Sequence, residues 1–369
     1  MQLPRGEEEY DMRPLVPTLS MQVTYQCNIE CAHCGPYCGP REYDWMTVDE
    51  IKDLIRQANE LGAYNVVFTG GEPSLLKDKL LDILQFIRRE TQIKYTRIVT
   101  NAKWATTYDR AYSTLRSWKE AGLDEINISC GEYHQEFVPV SSVVNGYKAA
   151  TKLGFITVLL VGEFLKHGKG KYTFQMFKDA IGEDLTGPEL MSPYITRCHG
   201  MSCSSAMNYG RGKDMLKVED LTFQPEDQIA SICSDVLNAI TVHPNGNTTA
   251  CCGIMVREES LLNIGNWREG RLRPMLEGAN QDLILNWIRH LGLRDMKHWL
   301  QSKDPTLKFR KEYINICDLC AEIVYDARCQ ELLAAHGHER QDEIIANKVA
   351  MDATVYDPEQ FRYVAVSAG

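Results

Sequence analysis

The sequence predicts an α/β fold, a partial barrel of parallel strands wrapped by helices, followed by a smaller C-terminal extension. Three observations carry this expectation. Short apolar runs alternate with helix-length amphipathic segments from about residue 19 to 200, which implies βαβ units, and their right-handed crossovers favour a barrel or part of one. Glycines such as Gly62 and Gly154 punctuate the helical segments. The thirteen cysteines fall in separate groups, four at the front and six in the last third, so two metal regions are expected.

The first strand is read at Leu19 to Thr24. Thr47-Val48-Asp49-Glu50 reads as a capping box, in which the threonine hydroxyl and the glutamate each satisfy a free N–H of the helix start. Ile51, Leu54, Ile55, Ala58 and Leu61 then recur at helical spacing until Gly62. Asn65-Val66-Val67-Phe68 is a short buried strand that runs into Thr69-Gly70-Gly71-Glu72-Pro73, and Leu75 to Arg89 is helical again. Tyr95 to Thr100 is a strand ending at Asn101, Asp109 to Ala121 a helix, and Glu125 to Ser129 a strand. Val140 to Leu153 is a helix ended by Gly154, and Phe155 to Val161 is a strand. In such a barrel the reactive rim lies at the C-terminal strand ends, and the unusual sequences fall there. A cysteine run follows the first strand, Gly-Gly-Glu-Pro the second, Asn101 the third and Ser129-Cys130 the fourth.

Composition narrows the class. A chain of 369 residues, 44% hydrophobic and 24% charged, is globular and holds one large domain plus an extension, or two domains. The start MQLPRGEEEYDMRP has no apolar core of a signal peptide, and no stretch approaches a membrane span, so a cytoplasmic protein with no membrane partner is expected. A net charge of −10 without a Lys/Arg block argues against nucleic acid as the main partner and disfavours an RNA-modifying enzyme. In a reducing compartment so many thiols are better explained by metal binding or catalysis than by disulfides.

Cys27, Cys31 and Cys34 stand in Tyr25-Gln26-Cys27-Asn28-Ile29-Glu30-Cys31-Ala32-His33-Cys34. The C-x3-C-x2-C spacing lets three thiolates close on one iron–sulfur cube and supplies no local fourth ligand, leaving one iron open; a zinc knuckle is the alternative.

With Gly70-Gly71-Glu72-Pro73 after the second strand, this triplet resembles the radical S-adenosylmethionine (SAM) superfamily over roughly residues 19 to 200. The resemblance implies a partial (β/α)6 TIM-like barrel in which Cys27, Cys31 and Cys34 ligate a [4Fe-4S] cluster whose open iron binds SAM. It implies that His33 lies against the adenine, that Gly70, Gly71, Glu72 and Pro73 receive the SAM amino group, and that Asn101 and Ser129 contact ribose or carboxylate. Further on, Cys233, Gly246 and Cys251 with the pair Cys317 and Cys320 resemble the auxiliary-cluster extension called SPASM, or its shorter twitch form. Those four cysteines would close one auxiliary [4Fe-4S] cluster, with Cys252 and Cys329 as possible substitutes and a four-thiolate zinc site as the alternative. Asn208-Tyr209-Gly210-Arg211-Gly212 and Leu262-Asn263-Ile264-Gly265-Asn266 resemble stretches that flank such extensions, and read physically as glycine-punctuated turns. The expected division is an N-terminal extension over 1–18, the barrel over 19–205, the auxiliary domain over 206–335 and a tail over 336–369.

Function follows from the implied cofactors: reductive cleavage of SAM to a 5′-deoxyadenosyl radical that abstracts hydrogen from a substrate, the work of a radical SAM oxidoreductase. An external electron donor such as flavodoxin or ferredoxin is implied. Relatives with both motif sets mostly mature peptides or proteins by crosslinking, epimerisation or oxidation. A smaller group dehydrogenates sugars or aminocyclitols, and little sequence precedes Leu19 to form a separate peptide-recognition domain. A zinc or iron–sulfur binding protein without radical chemistry is the alternative of another class. Reaction-specific candidates are Cys130, Glu132 and His134 beyond the fourth strand, and Cys198.

Overall fold

The computed structural model describes residues 17–182, 186–192, 195–253 and 260–355, with backbone alone at 186–192, 195–196 and 352–355. The N-terminal extension up to residue 16 and the tail from residue 356 lie outside the described residues. Five strand–helix units run in order: β1 (Thr18–Gln22), α1 (Val48–Glu60), β2 (Asn65–Thr69), α2 (Asp78–Glu90), β3 (Tyr95–Thr100), α3 (Tyr108–Ala121), β4 (Glu125–Gly131), α4 (Val140–Leu153), β5 (Thr157–Phe164) and α5 (Phe174–Ile181). An antiparallel pair, β6 (Thr186–Ser192) and β7 (Ile195–Ser205), follows, and β7 lies parallel to β5 as the sixth barrel strand.

These elements form where the sequence places their signals. Thr47 and Glu50 make the reciprocal capping box at the start of α1. Thr107 and Thr173 cap α3 and α5 through their hydroxyls, and Gly122, Gly154 and Gly182 end α3, α4 and α5 in the left-handed conformation. The expected helix from Leu75 is broken. Glu72 and Pro73 start a single 3-10 turn over Pro73–Leu76, and Lys77 at φ 54° redirects the chain before α2 begins.

Three strands of the extension join the barrel sheet, and the other two form a small separate pair. After a short α6 (Arg211–Met215) and β8 (Gln224–Pro225), β9 (Ala239–Val242) pairs parallel with β1 on the side away from β2. β10 (Asn247–Thr249) and β11 (Asn263–Asn266) continue antiparallel, giving one open ten-stranded sheet in the order β11-β10-β9-β1-β2-β3-β4-β5-β7-β6. The barrel is therefore partial, with the extension's hairpin prolonging its first edge. The chain ends in helices α7 (Leu272–Gln281), α8 (Leu283–His290) and α9 (Leu293–Lys303), a short β12 (Glu312–Tyr313) paired with β8, and helices α10 (Ile316–Val324), α11 (Ala327–His336) and α12 (Gln341–Val355).

Two large apolar cores follow from this arrangement. One lies between the barrel strands and α1–α5 and takes in Ile240, Val242, Trp267, Leu272 and Leu276 from beyond the expected boundary at 205. The other holds Trp287, Met296, Leu300, Leu319 and Ile323 among the late helices, with Cys251 and Cys320 in it. No described helix is long and apolar enough to cross a membrane.

Candidate functional site

The loop between β1 and α1 folds back on itself through backbone bonds from Cys27 N–H to Gly39 O and from Cys34 N–H to Cys31 O. This brings Cys27, Cys31, Cys34 and Cys38 to the wall of one cavity of about 210 Å³ at the C-terminal strand ends, room for a bound group rather than a single water. Thr69 at the end of β2 and Gly70 and Gly71 after it line it, with Asn101 after β3, Ser129 from β4, His134 beyond it, and Glu163 from β5.

The glycine turn fits because nothing larger can. A Cβ on Gly71 would lie 2.0 Å from the carbonyl oxygen of Gln26, and Gly71 N–H donates to Thr24 O at 2.7 Å. The turn is thus laced to the backbone that enters the cysteine loop. Glu72 and Pro73 do not line the cavity. The buried Glu72 carboxylate instead accepts from the Thr100 hydroxyl at 2.7 Å, Asn101 N–H at 2.8 Å and Ser74 N–H at 3.1 Å. Its role is to hold the end of β3, so that Asn101 reaches the side-chain oxygen of Asn28 at 2.8 Å and the Cys27 sulfur at 3.7 Å.

The thiols share one electrostatic environment. Burial, and next the charge of Glu72, push the Cys27 thiol up to about 12. Burial raises Cys31, and the neighbouring thiolates of Cys34 and Cys27 raise it further. Cys34 is drawn down to about 7, first by its hydrogen bond from the Cys38 side chain, against burial, and then by Cys38 N–H, which donates to its sulfur at 3.3 Å. His33 is buried with Nε2 2.5 Å from Glu163 Oε2. Burial alone would lower the imidazole, but the Glu163 carboxylate raises it; burial would raise Glu163, but His33 lowers it. His134 lies edge-on to His33 with ring centroids 4.8 Å apart, and burial and the neighbouring His33 pull it down to about 3, so it is neutral. The Nδ1 atoms of His33 and His134 are buried without a hydrogen-bond partner, and a nitrogen of each ring lies within 4.8 Å of the other and of Cys31 Sγ.

Of the reaction-specific candidates, only His134 reaches the cavity. Cys130 has the parity of Ile128, whose Cδ1 lies 3.1 Å from where a Cβ on Gly146 of α4 would stand, so it faces the helices and is fully buried. Glu132 turns away to accept Lys171 N–H at 2.8 Å and Tyr172 N–H at 3.1 Å. Cys198 pairs with Thr157 at the start of β5, roughly 20 Å along the strand from Glu163.

The second thiol set also assembles. Charge on Cys251, Cys317 and Cys233 acts on Cys320, and Cys252 adds to this at Cys317, in each case after burial has raised the thiol. A Cβ on Gly253 would stand 2.9 Å from the Cys317 sulfur and 3.6 Å from that of Cys251. Cys329 is buried in the late-helix core, where its N–H is tied to Asp326, and no neighbouring thiol acts on it.

Several residues at the site are not singled out by the sequence. Glu163 lies two positions past the expected end of its strand; a carboxylate after an apolar run was the available signal. Arg211 donates to Cys31 O and Cys38 O, both at 2.8 Å, and Gly210 is packed so closely that a Cβ would meet Gly35 O at 2.0 Å. Met207 and Tyr209 line the cavity from the same segment. The motif around Tyr209 is visible in sequence, but turn chemistry alone gives no reason to bring it to the cysteine loop.

Residues 21–182 match the model of the radical SAM superfamily. The chain is 34% identical over 148 residues to a probable GTP 3′,8-cyclase of Pyrococcus horikoshii, a match over 37% of this chain that spans 44% of that protein's length. It is 22% identical over 314 residues to the putative peptide biosynthesis protein YydG of Bacillus subtilis, covering 84% of this chain and 92% of that protein. Among solved structures it resembles Streptococcus suis SuiB bound to S-adenosylmethionine, with a TM-score of 0.44 and 15% identity over 75% of this chain and 68% of that one.

Proposed function

We propose that this chain, which carries a radical SAM domain over residues 21–182, holds a [4Fe-4S] cluster on Cys27, Cys31 and Cys34 with SAM beside it, and acts on a peptide or protein substrate during its maturation. One observation carries the reading: three thiols from a single loop meet in a cavity walled by glycine backbone, an amide and an ion pair at the strand ends. The donor set fits the group. Thiolates are the ligands iron–sulfur clusters take, and the burial and neighbouring negative charge that raise Cys27 and Cys31 would be offset by bound iron. The fourth nearby thiol, Cys38, lies beside Cys34 and donates to the Pro36 carbonyl at 3.9 Å.

When bound, the cluster and SAM supply reductive cleavage of the sulfonium to a radical that abstracts hydrogen from an unactivated C–H bond. The chain's own residues bind, orient and exclude. Gly70 and Gly71 offer backbone to the SAM amino group, Asn101 and Ser129 offer polar contacts to the rest of the cofactor, and His33, fixed by Glu163, forms the wall for the adenine. His134 lines this cavity, and burial keeps its imidazole uncharged, which suits it to accept a hydrogen bond from the substrate rather than to hold a proton.

Cys233, Cys251, Cys317 and Cys320 fit a second, fully ligated [4Fe-4S] cluster: four soft donors whose charges act on one another, with no Cβ on Gly253 to crowd the sulfurs of Cys317 and Cys251. Such a cluster suits an electron acceptor and therefore an oxidoreductase, with flavodoxin or ferredoxin as the external donor. A peptide substrate is supported by the similarity to YydG, which covers 84% of the chain, whereas similarity to the cyclase is confined to 37% of it.

Anaerobic reconstitution with iron and sulfide tests the reading. About eight irons per chain and 5′-deoxyadenosine on adding SAM and dithionite are expected, with about four irons and no cleavage after Cys27, Cys31 and Cys34 are changed to Ala. Firm zinc retention with no SAM cleavage overturns it.

A further inference from the structure

The segment Met207–Arg211 touches both thiol groups. Tyr209 lines the first cavity, and its hydroxyl donates to the Gly253 carbonyl at 2.8 Å. Gly253 in turn donates its N–H to the Cys251 sulfur at 3.1 Å. A parallel line starts from Met207, also on the cavity wall: its sulfur accepts from Asn315 Nδ2 at 3.3 Å, while Asn315 Oδ1 receives Cys317 N–H at 2.9 Å. On the other side of the segment, Arg211 N–H donates to Cys34 O at 3.0 Å.

We propose that Tyr209 is a positioning residue for the second thiol set: its hydroxyl fixes Gly253 so that the glycine N–H points at Cys251, while its ring forms part of the wall that faces the substrate. Hydrogen bonds to sulfur are one of the protein's main controls on an iron–sulfur potential, since they place partial positive charge beside a thiolate that carries part of the cluster's negative charge. A tyrosine suits the place because its apolar body packs on the cavity while its polar tip stays bonded. One side chain thereby ties the redox behaviour of the distant set to the cavity where the reaction takes place. The Met207–Asn315–Cys317 line ties the same segment to the backbone of a second cysteine of the set.

This inference rests on the reading that Cys233, Cys251, Cys317 and Cys320 hold an iron–sulfur cluster. Its test uses the full chain with Cys27, Cys31 and Cys34 changed to Ala, so that only the second set is loaded, compared with the same protein carrying Y209F. Iron content is expected to be unchanged, and the midpoint potential, followed by EPR-monitored redox titration, is expected to move to a more negative value in Y209F. A purely structural tyrosine would lower the melting temperature and leave the midpoint where it was; an unchanged midpoint and spectrum overturn the proposal. If the parent takes up no iron at this set, the iron–sulfur reading fails, and the same contact is read with cobalt(II). A shift of the thiolate-to-cobalt charge-transfer band between parent and Y209F supports the positioning role, an identical band overturns it, and uptake of neither metal overturns both.

Discussion

The guanidinium of Arg211 donates to the backbone carbonyl of Cys31 at 2.8 Å, joining positions 180 residues apart in sequence. The same side chain reaches Cys38 O, so one residue after β7 fixes the far side of the loop that carries the cavity's four thiols. Sulfur ligands can be presented in one geometry only if the loop's carbonyls are held, and here they are held by a fork with two parallel donors.

Arg211→Ala is therefore expected to cost about 2 kcal/mol and to reduce iron retention at the first site, because two carbonyls lose charge-assisted partners. Arg211→Lys keeps the charge but offers one point donor in place of the fork, and should fall between the two. Thermal unfolding of the metal-free proteins and iron content after desalting check both; wild-type iron retention in R211A would show that the loop holds itself.

Gly71→Ala should be more damaging than its size suggests. The added carbon would meet the Gln26 carbonyl at 2.0 Å, a backbone atom that cannot swing aside. A loss of about 2–3 kcal/mol, or loss of soluble protein, is expected, together with impaired SAM binding. Equal melting temperatures for variant and parent would count against the tight lacing of the turn to the cysteine loop.

Cys130→Ala and His134→Gln separate the helix side of the sheet from the cavity side. C130A should cost about 1 kcal/mol of stability and leave SAM cleavage and product formation intact, since its sulfur packs toward the helices. H134Q should still cleave SAM but form product about 10-fold more slowly, the scale of one lost or misplaced hydrogen bond to the substrate. Liquid chromatography of 5′-deoxyadenosine alongside product distinguishes them, and the reverse pattern would move the reaction-specific residue to Cys130.

Glu72→Gln replaces a carboxylate that accepts three hydrogen bonds with an amide that brings donors to the same place. A loss of about 1–3 kcal/mol is expected from the unmatched buried groups. Because Glu72 holds Asn101 rather than lining the cavity, SAM affinity should weaken through displacement of Asn101, and equilibrium dialysis would read this as a higher Kd. An unaltered Kd beside a lowered melting temperature would confine Glu72 to stability.

Much of the barrel was legible because its signals are local. The capping box at Thr47 and Glu50, the glycine end of α4, and the apolar runs of β2 to β5 each depend on residues within a few positions of one another. Boundaries slipped where tertiary contacts intervened, as at Lys77, which breaks the expected helix, and at Glu163, which prolongs β5 onto the cavity wall. The candidate site was legible in part. Spacing marked the three front cysteines and the glycine turn, but the side to which a strand residue points depends on register, and register removed Cys130 and Cys198 from the cavity while keeping Ser129.

The alternation of strands and helices and the grouping of thiols are written in short-range spacing and can be read from the chain alone. Only the tertiary structure decided that β9 joins β1, that Glu163 pairs with His33, that Glu72 serves Asn101, and that Tyr209 and Arg211 stand between two thiol sets. These contacts join residues far apart along the chain, and their partners are selected by the packing of the whole sheet rather than by any local preference.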